Sequence, residues 1–455
     1  MRRRALSWTA GICLAGALAG AARAADPAPD VHEHDLPNGM KVLVLEDHSI
    51  PNAALYVMWR VGSRNERPGI TGIAHFFEHM MFLGGHRFGR TFDNVMEAAG
   101  GSNNAYTTRD VTCYQDWFPA SELPLILDME ADRMSGMDFV PATVQSEREV
   151  VYSERRLDME EPEVVLDEQL WAAAYTAHPY QWDVLGWPSD IEAWRQEDLE
   201  AFFTANYAPQ NAVLVLVGAV DADAAFAQIE KRMAGIPRGP ERRPVVTREP
   251  EQLGERRVVV EDTSGGVPIV MCAWHVPASA HADTPPLMVL EHMLLGGESS
   301  RLHTELVEGE QLCVDVSGGL QGLQFDPSLF VVTCTLRDGG DPAAAEARVR
   351  AAVARVAREG PTERELRAAQ NTLRASILRR MKTIDGKAEV LAETEVFFGG
   401  WRRLAARLDA LRSVTADDVK RVAAAYLTER GITVGTLLPR AAEPGDDEDA
   451  AEDGR

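Results

Sequence analysis

The chain has 455 residues, 45% of them hydrophobic, and a formal net charge of -24. This acidic balance argues against nucleic acid as a partner, because nucleic acid requires a basic surface. The length predicts at least two domains. After the first segment, no stretch reaches the roughly 18 consecutive apolar residues that a membrane span needs.

The first segment, residues 1–24, has the features of a secretory signal peptide. Arginines occupy positions 2–4, an uncharged run rich in Ala, Gly and Leu follows, and Ala22-Arg23-Ala24 fits a cleavage site. A membrane anchor is the alternative, but the run is only weakly apolar and the cleavage site follows at once. We therefore expect a chain that begins at Ala25, lies in the periplasm and has no membrane span after cleavage.

Strand patterns come first in each half and longer helical patterns follow. Lys41–Glu46 and residues 53–59 form apolar or alternating runs that predict strands. Residues 121–134, 141–156 and 363–382 have helical periodicity. Strands followed by runs of helices predict an α+β fold in which helices pack on mostly antiparallel sheets.

One helical segment carries a group of metal-binding side chains. His75, Glu78 and His79 stand at positions i, i+3 and i+4, which share one face of a helix with ~3.6 residues per turn. Two imidazoles at this spacing can bind one Zn²⁺, and the carboxylate between them is placed to act as a general base. This H-x-x-E-H order is typical of inverzincins. A solvated helix face is the alternative for so short a pattern.

A catalytic zinc site needs a third protein ligand, and the predicted helix 141–156 offers three glutamates. Glu147 and Glu154 are two turns apart on one face, whereas Glu149 lies off that face. The pattern alone does not choose among them, since a charged surface helix has a similar appearance.

The two halves of the chain resemble each other across a polar segment rich in Pro and Gly. The residues around Glu78 are echoed by Leu290-Glu291-His292-Met293, and near the end of each half an acid-led helical pattern runs into an apolar strand. Met288 takes the place of His75 in the copy. The second half is therefore predicted not to bind zinc in the same way.

These observations divide the chain into five predicted segments. They are a signal peptide (1–24), a zinc-binding peptidase domain (25–234), a linker (235–255), a homologous domain without the zinc motif (256–440) and an acidic disordered tail (441–455).

Four cysteines follow the signal peptide, namely Cys113, Cys272, Cys313 and Cys334. They show no C-x-x-C spacing, which argues against a cysteine zinc site. Cys272 and Cys334 lie in apolar runs and are predicted to be buried thiols. Export permits a disulfide, but the spacing does not identify a pair.

The motifs resemble those of the pitrilysin family of zinc peptidases, which includes insulin-degrading enzyme and the mitochondrial processing peptidases. The likeness covers nearly the whole chain after residue 24. It is carried by His75-x-x-Glu78-His79 with Glu154 downstream, and by segments 69–75, 101–107, 146–151 and 178–186.

The resemblance implies a zinc endopeptidase subunit that cleaves peptides or unfolded segments inside a chamber. It implies one zinc ion per chain, held by His75, His79 and Glu154. Glu78 would be the catalytic base, and Glu147 would support catalysis by orienting a ligand histidine.

The resemblance also implies a strand that pairs with the substrate backbone, formed by Asn103, Asn104, Ala105, Tyr106 and Thr107. An open strand edge holds an extended peptide largely regardless of its sequence. From these residues alone, an ordinary hairpin strand is the alternative.

In one respect the sequence departs from the family. Active single-chain members carry an Arg and a Tyr, seven residues apart, where this chain has Val307 and Val314. Neither valine side chain can donate a hydrogen bond to a developing oxyanion.

In the family four such domains enclose a chamber, and this chain has two.

The resemblance therefore implies a heterodimer with a paralogous subunit that supplies the Arg/Tyr pair, with a homodimer as the less favoured arrangement. Two other functions stay open. One is a non-catalytic binding or assembly subunit, and the other is a maturation peptidase dedicated to one secreted peptide.

Overall fold

The computed structural model describes residues 29–83, 85–262 and 266–439. The predicted signal peptide, 1–24, and the predicted acidic tail, 441–455, lie outside these residues. Within the described ranges, no helix is both long enough and apolar enough to cross a lipid bilayer.

The first of two β-sheets lies entirely in the first half of the chain. Its strands are β1 His32–Asp35, β2 Lys41–Glu46, β3 Asn52–Trp59, β4 Ser102–Thr107, β5 Thr112–Pro119 and β6 Ala212–Gly218. Their spatial order is β1-β2-β6-β3-β5-β4. All neighbours are antiparallel except β2 and β6, which run parallel with Lys41 opposite Val213. β4 therefore forms one edge of this sheet.

The second sheet repeats this plan with five strands. They are β7 Arg256–Asp262, β8 Ile269–Val276, β9 Cys313–Leu320, β10 Ser328–Leu336 and β11 Ile432–Pro439. Their order is β7-β11-β8-β10-β9, with β7 and β11 parallel and the other neighbours antiparallel. The two sheets with their helices confirm the predicted α+β class of two related halves.

Helices cover both sheets. They are α1 Ile73–Phe82, α2 Phe92–Ala98, α3 Leu123–Ser135, α4 Pro141–Asp158, α5 Pro162–Ala174, α6 Pro188–Ala193, α7 Gln196–Asn206, α8 Ala222–Met233, α9 Thr284–Leu295, α10 Pro342–Glu359, α11 Glu363–Arg380, α12 Ile384–Phe398, α13 Leu404–Ser413 and α14 Ala416–Tyr426, with a π-helical turn at His303–Gly309. Proline is the first residue of α4, α5, α6 and α10, a position where its missing N–H costs nothing.

Each half lends one helix to the sheet of the other half. α5 contributes Leu166 and Trp171 to a core with Met271 of the second sheet. In the opposite direction, α12 contributes Leu391 to a core with Val215 of the first sheet. Because of this exchange, two of the apolar cores contain residues from both halves. The domain boundaries at 234 and 256 therefore remain a prediction from the sequence.

The predicted linker, 235–255, has no helix or strand between residues 237 and 255. It is nevertheless tied to both halves by hydrogen bonds. The carboxylate of Glu249 accepts the backbone N–H of Ala177 at 2.9 Å, and Gln252 Nε2 donates to the carbonyl of Ile432 at 2.7 Å. The segment therefore follows the protein surface as an anchored connection.

All four described cysteines, Cys113, Cys272, Cys313 and Cys334, are buried free thiols. This agrees with the burial predicted for Cys272 and Cys334, both of which lie on strands of the second sheet.

Candidate metal centre

The helix α1 carries the histidine motif and begins at a tight turn. Gly72, the residue before the helix, has φ of +82°, and a Cβ there would lie 2.4 Å from the carbonyl oxygen of Leu185. Only glycine tolerates both conditions. The carboxylate of Glu66 accepts the N–H of Gly72 at 2.9 Å and that of Ala74 at 2.8 Å, which are N–H groups that a helix start leaves without a partner.

The loop before α1 is held from a distant part of the chain. Asp190 Oδ2 accepts the backbone N–H of Gly69 at 2.9 Å, and it also accepts the N–H and the hydroxyl of Thr71. Sequence reasoning missed both Glu66 and Asp190. Glu66 lies near the motif without a regular spacing, and Asp190 has no local signal at all.

α1 has one buried face and one face directed at a second helix. Phe76 and Phe77 are fully buried in the core of the first half, whereas the motif side chains keep partial exposure. α4 packs against α1, and its own buried residues Val144 and Val151 hold it there. The opposite face of α4, with Glu149, is exposed.

The two helices bring three potential ligand atoms together. The Nε2 atoms of His75 and His79 are 3.2 Å apart, and Glu154 Oε2 lies 3.9 Å from the first and 3.3 Å from the second. Tetrahedral zinc with bonds of 2.0–2.1 Å places its ligand atoms about 3.3 Å from one another. The residues present therefore fit this metal in spacing and in chemistry. Among the described residues, they form the one cluster suited to a metal ion.

Glu147 contacts His79 on the ring nitrogen that lies away from the other two ligand atoms. Its Oε1 lies 2.9 Å from His79 Nδ1, a hydrogen bond that puts the ring proton on Nδ1 and leaves the Nε2 lone pair free for a metal. His75 Nδ1 is buried and has no hydrogen-bond partner in the part of the chain that the structure describes. Glu149 is not part of the cluster, since it bonds Gln145 on the exposed side of α4.

The two histidines have different electrostatic surroundings. Burial, with a smaller contribution from His79, lowers the pKa of His75 to about 4, which keeps this imidazole in the neutral form that binds metals. Burial acts in the same direction on His79. The hydrogen bond that His79 donates to Glu147 and the charges of Glu154, Glu147 and Glu78 outweigh burial and raise the pKa of His79.

Glu78 lies beside the ligand atoms and touches the edge strand. Thr107 Oγ1, at the end of β4, donates a hydrogen bond to Glu78 Oε2 at 2.5 Å. Burial raises the pKa of Glu78, and this hydrogen bond opposes the shift only in part. The side chain of Glu154 is 42% exposed and that of His75 is 14% exposed. The cluster is therefore open to solvent on the Glu154 side, where a water and a peptide could approach.

Comparison with known proteins decides the family. Residues 41–186 match the family described as Insulinase (Peptidase family M16), and residues 193–373 match the one described as Peptidase M16 inactive domain. The zinc protease PqqE of Helicobacter pylori is 30% identical over 313 residues, which are 68% of this chain and 69% of that protein. The chain belongs to the M16, or insulinase, family of peptidases.

Two further comparisons extend the likeness of this M16 chain to nearly its whole length. An uncharacterized zinc protease of Mycobacterium bovis is 29% identical over 413 residues, which are 89% of this chain and 93% of that protein. The crystal structure of a protease from Helicobacter pylori matches with a TM-score of 0.86 and 27% identity, covering 90% of this chain and 100% of that one.

In this M16 chain the predicted substrate strand, Asn103 to Thr107, lies within the edge strand β4. β4 pairs with β5 on one side, and no other described strand pairs with its outer side. Its side chains are engaged in different ways. Asn104 is exposed, Asn103 Nδ2 bonds Asp93 at 3.1 Å, and Ala105 and Tyr106 pack on the cores on opposite faces of the sheet.

Val307 and Val314, the two valines expected at the positions of the Arg/Tyr pair, lie in the second half of this M16 chain. Val307 is in the π-helical turn, where it packs against the core. Val314 is on the edge strand β9 and is 51% exposed. Both side chains are apolar, so neither side chain offers a hydrogen-bond donor.

Proposed function

We propose that this chain is the zinc-binding subunit of a zinc-dependent endopeptidase that acts on peptides or unfolded segments. The observation that carries the proposal is the convergence of three ligand atoms from His75, His79 and Glu154, which all lie within 4.8 Å of one another, with Glu78 next to them. Membership of the M16 family and relatives named zinc protease support the same assignment.

The proposed chemistry is hydrolysis of a peptide bond. One zinc ion held by His75, His79 and Glu154 would supply Lewis acidity toward a water molecule and the scissile carbonyl. Glu78 takes a proton from the attacking water and transfers it to the leaving amine. Glu147 positions the His79 ring through its hydrogen bond to Nδ1.

The substrate peptide is proposed to add as a strand along the outer edge of β4, at Asn103, Asn104, Ala105, Tyr106 and Thr107. The open edge offers backbone N–H and C=O groups to an extended peptide. Thr107, at the end of this strand, bonds Glu78, so a peptide seated on β4 would lie beside the proposed base.

The proposed partner is a paralogous chain that supplies the missing Arg/Tyr donors, which would make the active form a heterodimer. A homodimer would bring only Val307 and Val314 again, and it is the second choice. The predicted signal peptide supports a periplasmic location. The same two valines favour a second candidate function, that of a binding or assembly subunit without activity of its own.

Zinc content tests the proposed site. The wild-type chain should bind one zinc ion, Glu154→Ala should lose most of it, and Glu149→Ala should keep it, because Glu149 faces away from the cluster. Equal zinc retention in Glu154→Ala and Glu149→Ala would refute Glu154 as a ligand.

Peptide cleavage with and without a paralogous chain tests the proposed assembly. Activity that occurs only when both chains are mixed would support the heterodimer. Full activity of the isolated chain, unchanged by the paralogue, would refute it. Zinc binding without cleavage in every combination would favour the assembly subunit.

A further inference from the structure

A cavity of about 420 Å³ lies in the second half of the chain, a size within the range of small-molecule sites. Its wall is mostly apolar and comes from β8, α9, α11, α12 and α13, from the end of β9 and from the loops after β8 and β9. The apolar contacts include Val276, Met288, Leu320, Leu323, Ile377 and Phe398. Met288 is the counterpart of His75 in the internal duplication, so this cavity lacks the equivalent of that metal ligand.

Arg407 is the polar side chain that characterises this cavity. Its guanidinium lies 3.5 Å from the centroid of the Phe398 ring and donates a hydrogen bond to Thr394 Oγ1 at 2.9 Å. Within the described ranges no carboxylate lies within ion-pair distance of Arg407. The neighbouring Glu393 attracts it electrostatically, but Glu393 is itself paired with Arg380 at 2.9 Å. Burial lowers the pKa of Arg407 to about 10. Burying a charge is costly unless it is fully paired. Arg407 shares its nearest carboxylate with Arg380, so the site favours a further anion.

The other charged groups of the lining leave the cavity with an excess of positive charge. Arg403, at the start of α13, is a second lining cation. Glu291 is the one acid among the described lining residues. The Leu320 N–H donates to it, and burial raises its pKa to about 7. Glu291 is therefore no permanent counter-ion for the arginines, and the cavity has an excess of positive charge.

We propose that this cavity binds a small monocarboxylic acid with an apolar body. The carboxylate would bind Arg407 and Arg403, since a guanidinium matches a carboxylate in shape and charge. The hydrocarbon part would pack against Phe398 and Met288. Transfer of this apolar surface out of water favours binding. This site is separate from the proposed metal centre and does not depend on peptidase activity.

Calorimetric titration of the chain without residues 1–24 tests the proposal, with decanoate as the probe. Decyltrimethylammonium, which has an unbranched hydrocarbon chain of similar length and the opposite charge, is the matched ligand control. Decanoate should bind and the cation should not. Arg407→Met, which keeps an unbranched apolar stem and removes the guanidinium charge, should weaken decanoate binding by about tenfold or more. Arg412→Met, on the same helix but paired with Asp409, should change the affinity less than about twofold.

Three outcomes would overturn the proposal. They are absence of decanoate binding to the wild-type chain, equal binding of the cation, and an unchanged affinity in Arg407→Met. Ala406→Phe, which places a ring in the cavity, supplies a second variant. If Arg407→Met does not fold, an unchanged decanoate affinity in Ala406→Phe would equally overturn the proposal.

Discussion

Glu78 is the side chain that the proposed hydrolysis needs for proton transfer. Glu78→Gln keeps the size of the side chain and removes its basicity. We expect unchanged zinc content and an unchanged fold, with peptide cleavage lowered about 10²–10⁴-fold. The measurement is cleavage of an unstructured peptide by the active assembly, alongside zinc analysis of the purified chain.

The control for this prediction is Glu149→Gln, since Glu149 is an exposed glutamate on α4 whose carboxylate accepts a hydrogen bond from Gln145. It should alter neither zinc content nor rate. An undiminished rate in Glu78→Gln would show that another group accepts the proton.

At the scale of single elements, the start of α1 depends on Glu66. This carboxylate is buried, with 6% exposure, and it accepts two backbone N–H groups at the helix start. Glu66→Ala leaves both N–H groups without a partner inside the protein, so we expect a loss of about 2–3 kcal/mol in the free energy of unfolding. Glu66→Gln, which keeps one acceptor, should lose less.

Urea unfolding of the three proteins checks this order, and zinc affinity provides a second readout because α1 carries two of the proposed ligands. If Glu66→Ala unfolds at the wild-type urea concentration, the hydrogen bonds at the helix start do not stabilise α1.

Because α5 and α12 are exchanged between the halves, we expect an isolated first half to be poorly soluble. A chain that ends at residue 234 lacks α12, which leaves the outer face of the first sheet, with Met58, Val213 and Val217, uncovered. Exposed apolar area of this kind favours association. The fragment should therefore aggregate and bind hydrophobic dyes. A full chain cut once between 237 and 255 should stay associated, since both exchanged helices remain. A soluble, monomeric fragment that unfolds cooperatively would contradict this account.

At the scale of the whole molecule, ion pairs between the halves make stability depend on pH. Lys387, on α12, pairs with Asp47, the residue directly after β2, and this contact lowers the pKa of Asp47 to about 2. In the unfolded chain the value is about 3.9. The pair therefore stabilises the fold fully above about pH 4, and its contribution is lost as the pH falls from about 4 toward 2.

The difference in unfolding free energy between the wild-type chain and Asp47→Asn isolates this contribution. We expect about 2 kcal/mol at pH values above about 5 and a shrinking difference below pH ~4. Urea titrations across this range provide the measurement. A difference that stays constant with pH would mean that the carboxylate charge of Asp47 does not matter.

Much of the candidate site could be predicted because it depends on local spacing. His75, Glu78 and His79 share a helix face through the geometry of a single turn, and the regular patterns of β2 and α4 depend on the same short-range periodicity. The choice among Glu147, Glu149 and Glu154 was open from the pattern alone. Only the packing of α4 on α1 decides which carboxylates reach the histidines, and the roles proposed for them stay predictions.

The sequence by itself determined the α+β class, the internal duplication, the family resemblance and the helix that carries the histidines. Only the tertiary structure decided that Asp190 holds the loop before α1, that Thr107 bonds Glu78, that α5 and α12 exchange sheets, and that Arg407 lines a cavity. Each of these is a contact between segments far apart in the chain. The geometry of each contact follows from how whole helices and strands bury their apolar faces against one another. A short window of residues holds no information about that packing.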